Sequence, residues 1–144
     1  MTEMKTGDYL VTTDKARLDL ADIHAWLSTE AYWCKGIPME VVRTAFENSF
    51  VCGIVFQEKT VGYARLITDY ATFAYLADVF VMQQHRGKGL SKAMMDVLMN
   101  QPWVSGLRRM MLATLDAHGL YTQYGFTALP HPERIMVKAL RDAY

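Results

Sequence analysis

The order of hydrophobic and polar positions along the chain predicts short strands alternating with amphipathic helices. Leu10–Thr13 reads as a first strand, and Asp14 or Asp19 can cap a helix whose inward positions Leu20, Ile23, His24 and Leu27 recur at helical spacing. Pro38 opens a second helix with Val41, Val42, Ala45 and Phe46 along one side, ending near Asn48. Phe50–Phe56, a polar turn at Glu58 and Lys59, and Val61–Ile67 predict an antiparallel hairpin. The run Tyr75–Met82 carries one charge, Asp78, and is too continuously apolar for a strand with one wet face, which places it centrally in a sheet. Leu90, Ala93, Met94, Val97 and Leu98 mark the buried face of a helix reaching about Asn100. Arg109–Thr114 is predicted as a strand, Asp116 as the cap of a short helix through Tyr124, Gly125 as its break, and Ile135–Ala139 as a last strand. This order predicts a single domain over residues 1–144, of α/β class, with a mixed, mostly antiparallel central sheet and helices on both faces.

Composition narrows the function classes. With 144 residues, 51% of them apolar, the chain can bury one sizeable core. Fifteen Lys and Arg balance fifteen Asp and Glu, so no overall field draws it to nucleic acid or a membrane surface, and any electrostatic function must be local. Cys34 and Cys52 lie among apolar neighbours without metal-ligand spacing, as expected of reduced, buried thiols in a cytoplasmic protein. Met1–Asp8 has no apolar signal core, and no apolar run approaches the roughly 20 residues of a membrane span.

The local charge sits in Gln84-His85-Arg86-Gly87-Lys88-Gly89-Leu90-Ser91-Lys92, between the buried strand and the amphipathic helix. Two glycines one residue apart at a helix start let backbone approach a ligand, and the unpaired N–H groups of the first turn favour an anion. Arg86, Lys88 and Lys92 add positive charge there, as a bound pyrophosphate would require. A solvated capping loop is the plainer reading of an isolated Gly-x-Gly; the buried strand and the charge density favour phosphate. A dinucleotide fold would need a third glycine where Lys92 stands, and a P-loop would need Ser or Thr where Gly89 stands. There is no Gly-x-Ser-x-Gly elbow and no His-Glu-x-x-His, and the four histidines are scattered, so neither a hydrolase nor a metal site is expected.

Gln84, Gly87 and Gly89 match the Gln/Arg-x-x-Gly-x-Gly/Ala signature of the GNAT superfamily of N-acetyltransferases, and Leu120-Tyr121-Thr122-Gln123-Tyr124-Gly125-Phe126 resembles that family's Leu-Tyr-x-x-x-Gly-Phe segment. The resemblance covers nearly the whole chain, with Met1–Phe73 sharing the pattern only loosely. It implies acetyl-CoA as acyl donor, with no metal, and a small-molecule primary amine as acceptor. The backbone from Arg86 through Gly87, Lys88, Gly89 and Leu90 to Ser91 would hold the pyrophosphate of coenzyme A. The strand Val79-Phe80-Val81-Met82 would splay from its neighbour, pair with the pantetheine arm and turn an N–H toward the thioester carbonyl. Tyr121 would be the general acid for the departing thiolate; its alternative is a core tyrosine. Two positions depart from the family pattern: Gln83 stands where proline is frequent, and Asp116 where asparagine often contacts the cofactor. A carboxylate near pyrophosphate is repulsive, which leaves a helix cap as the alternative role for Asp116.

On the acceptor side, Asp78 is a candidate base if burial raises its proton affinity, or else a structural carboxylate paired with Arg65 or Lys92. Glu30 is a poorer candidate. Tyr32, Trp33 and Tyr75 are candidates for an aromatic wall around the acceptor amine, against a reading as core. A non-catalytic acyl-CoA sensor and a nucleotide-binding regulator are the competing functions. A homodimer through the last strands or exposed apolar helices is compatible with the resemblance.

Overall fold

The computed structural model describes residues 1–144. Six strands form one sheet in sequence order: β1 (Glu3–Thr6), β2 (Tyr9–Thr12), β3 (Phe50–Phe56), β4 (Lys59–Thr68), β5 (Phe73–Val81) and β6 (Arg109–Met111). Neighbours are antiparallel except β5 and β6, which are parallel. The helices are α1 (Leu20–Thr29), α2 (Met39–Glu47), α3 (Leu90–Met99) and α4 (His118–Thr122).

Side-chain alternation divides the sheet between two cores. Val51, Tyr63 and Phe80 join Ile23, Leu27, Val42 and Phe46 beneath α1 and α2. Cys52, Ile54, Leu66 and Leu76 join Met94, Met95 and Leu98 of α3, together with Tyr121 of α4. Phe80 is stacked on Trp26 of α1 with centroids 4.1 Å apart and planes 8° from parallel. Helices thus cover both faces, as the pattern predicts.

Several local expectations are corrected. Met1–Asp8 supplies β1, which pairs with β2 as an edge hairpin; no apolar alternation announced it because its residues are exposed or only half-buried. The β3–β4 turn is Gln57-Glu58, with φ of 49° and 66°, and Lys59 already belongs to the ladder opposite Phe56. Both central residues left-handed is the two-residue hairpin geometry that matches strand twist. Asp19 caps α1 by accepting from the Ala21 amide at 2.8 Å, while Asp14 caps the single 3-10 turn before it. The predicted strand Arg109–Thr114 shortens to Arg109–Met111, because only those residues have a ladder partner. Asp116 does not cap α4: Ala117 precedes the helix, its amide donates to Thr114 Oγ1 at 3.1 Å, and the helix stops at Thr122, before Tyr124. Ile135–Ala139 is not a strand. Beyond Phe126 the backbone forms two hydrogen bonds, both closing the turn at Pro132–Arg134.

Candidate active site

The site is built where β5 changes register. Tyr63 pairs with Phe80 and Arg65 with Ala77, so Asp78 and Val79 together oppose Ala64 in a β-bulge. The extra residue reverses the parity of the strand: Ala74 and Leu76 face the α3 core, and so does Val81, an odd number of residues later. Asp78 carries the distortion, with φ of 56°. Such a left-handed conformation is tolerated by Asp more readily than by a branched residue.

On its other side β5 is only partly paired. β6 accompanies Phe73–Tyr75, and Leu76–Val81 has no partner on that edge. Of the strand residues expected as cofactor contacts, Phe80 and Val81 are buried and Val79 is half-buried, so what they present at the free edge is backbone. The Val81 carbonyl accepts from Arg86 Nε at 2.9 Å, which folds the arginine back on the strand end. Arg86 therefore fixes the loop as well as charging it.

The loop after β5 makes one 3-10 turn over Gln83–His85. His85 anchors it to the sheet: Nδ1 lies 2.8 Å from Tyr9 Oη, and the ring packs against Tyr9 and Phe56. Gly87 and Gly89 then adopt φ of 78° and 74°, and α3 begins with Gly89 as its N-cap and no side-chain cap. Consequently the amide N–H groups of Gly87, Lys88, Gly89, Leu90, Ser91 and Lys92 donate to nothing in the chain; the first intrahelical donor is Ala93, to Gly89 O at 3.0 Å. An ordinary helix start leaves about four such groups. These amides border a cleft of about 240 Å³ between Val81, the loop and Leu120. His85, Lys92 and Leu120 line it, whereas the exposed Gln84 and Lys88 do not. Its chemistry suits a diphosphate with an apolar arm: free N–H donors, cationic side chains, and room where a Cβ on Gly87 or Gly89 would meet nothing within 4 Å.

Tyr121 lies on α4 in the α3-side core, 7% exposed, next to Leu120 of the cleft. Its hydroxyl makes no hydrogen bond within the chain and is not sealed from solvent. Burial, and secondarily the Asp116 carboxylate, push its pKa above the ordinary tyrosine value, so it stays protonated at neutral pH. Gly125, with φ of 88°, turns the chain so that Phe126 packs edge-on to Tyr121 at 6.1 Å. Asp116 itself is exposed. Tyr124 docks α4 on α3, its hydroxyl 2.6 Å from Asp96 Oδ1 and 3.0 Å from Lys92 O.

On the α1–α2 face, Asp78 pairs with Arg65, Nε to Oδ2 at 2.7 Å, and Trp33 Nε1 donates to Oδ1 at 3.0 Å. Arg65 also donates to Ser49 Oγ at 3.1 Å. Of the two partners the sequence offered Asp78, Arg65 is the one engaged. Tyr32 and Trp33 are 62% and 44% exposed and edge-to-face, and with Lys35, Arg141 and Tyr144 they line a second cavity of about 220 Å³. Tyr75 does not line it; it stands on β5 opposite Ile67. Glu30 is exposed at the end of α1. The residues that sequence reasoning missed are His85 and Leu120 at the cleft and Ser49 behind Arg65. Leu120 was within reach as the neighbour of Tyr121; the others depend on tertiary pairing.

No group of three or more His, Cys, Asp or Glu side chains is arranged to hold a metal ion, and no helix is long and apolar enough to cross a membrane. Residues 20–126 match the family model described as "Acetyltransferase (GNAT) family". A protein of Gibberella zeae is 34% identical over 80% of this chain and 76% of its own length. A crystal structure from Xanthomonas campestris pv. campestris is 46% identical, with a TM-score of 0.89 over 94% of this chain and 96% of that one. Both carry names that call them putative acetyltransferases, the second of the GNAT family. Glucosamine-6-phosphate N-acetyltransferase from Arabidopsis thaliana shares the fold alone, at 17% identity and a TM-score of 0.63 over 95% of this chain and all of that one. A bulged, half-paired strand leading into an uncapped glycine turn, and a family match spanning both, lead to one statement: the chain belongs to the GNAT family of acetyltransferases and is an acyltransferase.

Proposed function

We propose that the protein moves an acetyl group from acetyl-CoA directly to the primary amine of a small molecule. The observation that carries this reading is the run of six unpaired amides from Gly87 to Lys92 directly after the unpaired half of β5. When bound, acetyl-CoA supplies the acyl group as an activated thioester. The amides and Lys92 hold its diphosphate by charge-assisted hydrogen bonds. The free edge of β5 beyond Leu76 receives the pantetheine amides as a strand would, and backbone N–H at the bulge faces the charge that develops on the reacting carbonyl oxygen. As the amine nitrogen bonds the acetyl carbon and the carbon–sulfur bond breaks, Tyr121, held protonated and without an internal partner, gives its proton to the departing sulfur, and the proton lost by the nitrogen passes to solvent, from which Tyr121 is reprotonated.

Asp78 we assign to orientation. Both of its oxygens are engaged in the free protein, one by Arg65 and one by Trp33, so it fixes the indole at the mouth of the acceptor side. Tyr32 and Trp33 then offer ring faces and edges to an incoming ammonium group. The two cysteines are free and buried, which supports a reducing, cytoplasmic setting. The test is thiol release from acetyl-CoA over a library of amino acids, polyamines, arylamines and aminosugars. Turnover with one class supports transfer; CoA binding without turnover on any amine would favour an acyl-CoA sensor instead.

A further inference from the structure

Beside Trp33 the chain gathers charges for which it has no partner of its own. The loop after α1 is pinned by its backbone: Gly36 N donates to Ser28 O at 2.8 Å, Ile37 N donates to Cys34 O at 3.0 Å, and His24 Nε2 lies 2.9 Å from Ile37 O. Residues 141–144 lie against this loop, with Tyr144 O 3.6 Å from where a Cβ on Gly36 would stand. Between the two is the cavity of about 220 Å³, to which the loop gives Tyr32, Trp33 and Lys35 and the later segment Arg141, Asp142 and Tyr144. Two cations and one carboxylate thus share a small hollow, and none of the three forms an ion pair within the chain. Arg141 carries its guanidinium 5.3 Å from the centroid of the Tyr144 ring, a cation–π placement that steadies the head group and leaves its N–H donors for a ligand. Asp78, which holds Trp33 at the β5 bulge, is already neutralised by Arg65. Two cations against one carboxylate leave the cavity one positive charge in surplus, in a chain whose charges otherwise balance.

We propose that the acceptor is a small amine that also carries an anionic group, a carboxylate or a phosphate, with its amine at the Trp33–Asp78 end and its anion between Lys35 and Arg141. This rests on the reading of Tyr32 and Trp33 as the acceptor side of acetyl transfer. A guanidinium takes either anion through two parallel N–H···O bonds, and Lys35 adds a point charge. Purely cationic acceptors such as polyamines meet the surplus positive charge and are disfavoured. The volume is below the roughly 300–1,000 Å³ of sites for drug-sized ligands, which suits an acceptor of amino-acid or amino-sugar size.

Paired acceptors that differ by the anion test the inference: phenylalanine against phenethylamine for a carboxylate, glucosamine 6-phosphate against glucosamine for a phosphate. In at least one pair kcat/KM for the anionic member should be higher by about tenfold or more, and the pair that shows it identifies the anion. Arg141→Gln should cut that preference to about threefold or less through KM, with kcat within about twofold, and Arg141→Lys should restore part of it. Lys138→Gln, exposed on the same segment but outside the cavity, should leave the preference as it is. Salt at about 1 M, where the Debye length is about 3 Å, should shrink it. Calorimetric titration of the same pairs into CoA-bound protein reads acceptor binding without turnover. Turnover with no preference in either pair, or a preference that Arg141→Gln and Lys35→Gln both leave intact, would overturn the inference and leave acetyl transfer standing. Anion-selective binding that no acetylation follows would support the cavity assignment and overturn the transfer reading. CoA-bound protein that neither binds nor acetylates the anionic members better than the plain amines would overturn the inference.

Discussion

Replacing Gly89 by Glu separates what the loop does for the fold from what it does for a ligand. Gly89 has φ of 74°, and a Cβ built there meets nothing within 4 Å. In the free protein the cost is therefore that of a left-handed non-glycine residue, about 1–2 kcal/mol. For a chain of this size that lowers Tm by about 2–8 °C. The ligand is affected differently. A glutamate carboxylate at the helix start would stand within roughly 4–6 Å of a diphosphate held by the Gly87–Lys92 amides, where two unit charges repel by about 3–4 kcal/mol at an effective dielectric constant of 20. At about 1.4 kcal/mol per decade, CoA affinity should fall about 10²- to 10³-fold. Calorimetric titration of CoA into wild type, Gly89→Glu, Gly89→Ala and Gly106→Glu measures this. The alanine variant has the same backbone cost without charge and should lose less than about tenfold; Gly106, a glycine with open space around it, is the control. Salt at about 1 M, where the Debye length drops to about 3 Å, should recover part of the glutamate loss. A folded Gly89→Glu protein that binds CoA within about threefold of wild type would refute the reasoning.

Other expectations follow from the same geometry. Tyr121→Phe should lower kcat by about 10²- to 10⁴-fold while CoA affinity stays within a few-fold, read by steady-state kinetics and titration; an unchanged kcat would return Tyr121 to the core. Asp78→Asn keeps a residue tolerant of positive φ and an acceptor for Trp33 but removes the charge facing Arg65, so kcat/KM for the amine should fall about 10- to 100-fold with CoA binding intact. Gly53→Ala should destabilise by about 1–3 kcal/mol in denaturant titration, because the added methyl overlaps the Leu18 side chain in the α1–α2 core. Burial pushes Cys34 up to about 11 and Cys52 to about 12, from an unfolded value near 9. With the folded values raised, both thiols are neutral in either state below pH 9, and stability is lost as pH rises from about 9 toward 11–12. At pH 8 a disulfide reagent should label neither thiol until the protein unfolds; rapid labelling of the native protein would contradict their burial.

What was legible in the sequence was whatever rests on periodicity or on glycine. The buried run of β5, the amphipathic face of α3 and the Gly87–Gly89 turn each have a local cause, and the strand-to-helix step that carries the site could be read from Tyr75 to Asn100 alone. The bulge could not. Nothing in Leu76-Ala77-Asp78-Val79-Phe80 marks the residue at which parity reverses, since that is set by the register with Tyr63 and Arg65 on β4. For the same reason the sequence offers Arg65 only as one of two partners for Asp78, and gives no sign of the Trp33 hydrogen bond to it. Ile135–Ala139 has the composition of a strand without a partner for one, and Asp116 has the composition of a cap but lies one residue too early, the helix being preceded by Ala117. Edge strand β1 was invisible because neither of its faces is buried enough to require apolar residues.

Amide hydrogen exchange followed by NMR, with and without CoA, tests the central assignment most directly. Saturating CoA should shift the N–H resonances of Gly87, Lys88, Gly89, Leu90, Ser91 and Lys92 and slow their exchange by tenfold or more, leaving Ala93 and the rest of α3 little changed, because those six are the donors the fold leaves unused. CoA binding that perturbs other surfaces while these six amides keep their free-state shifts and exchange rates would contradict it.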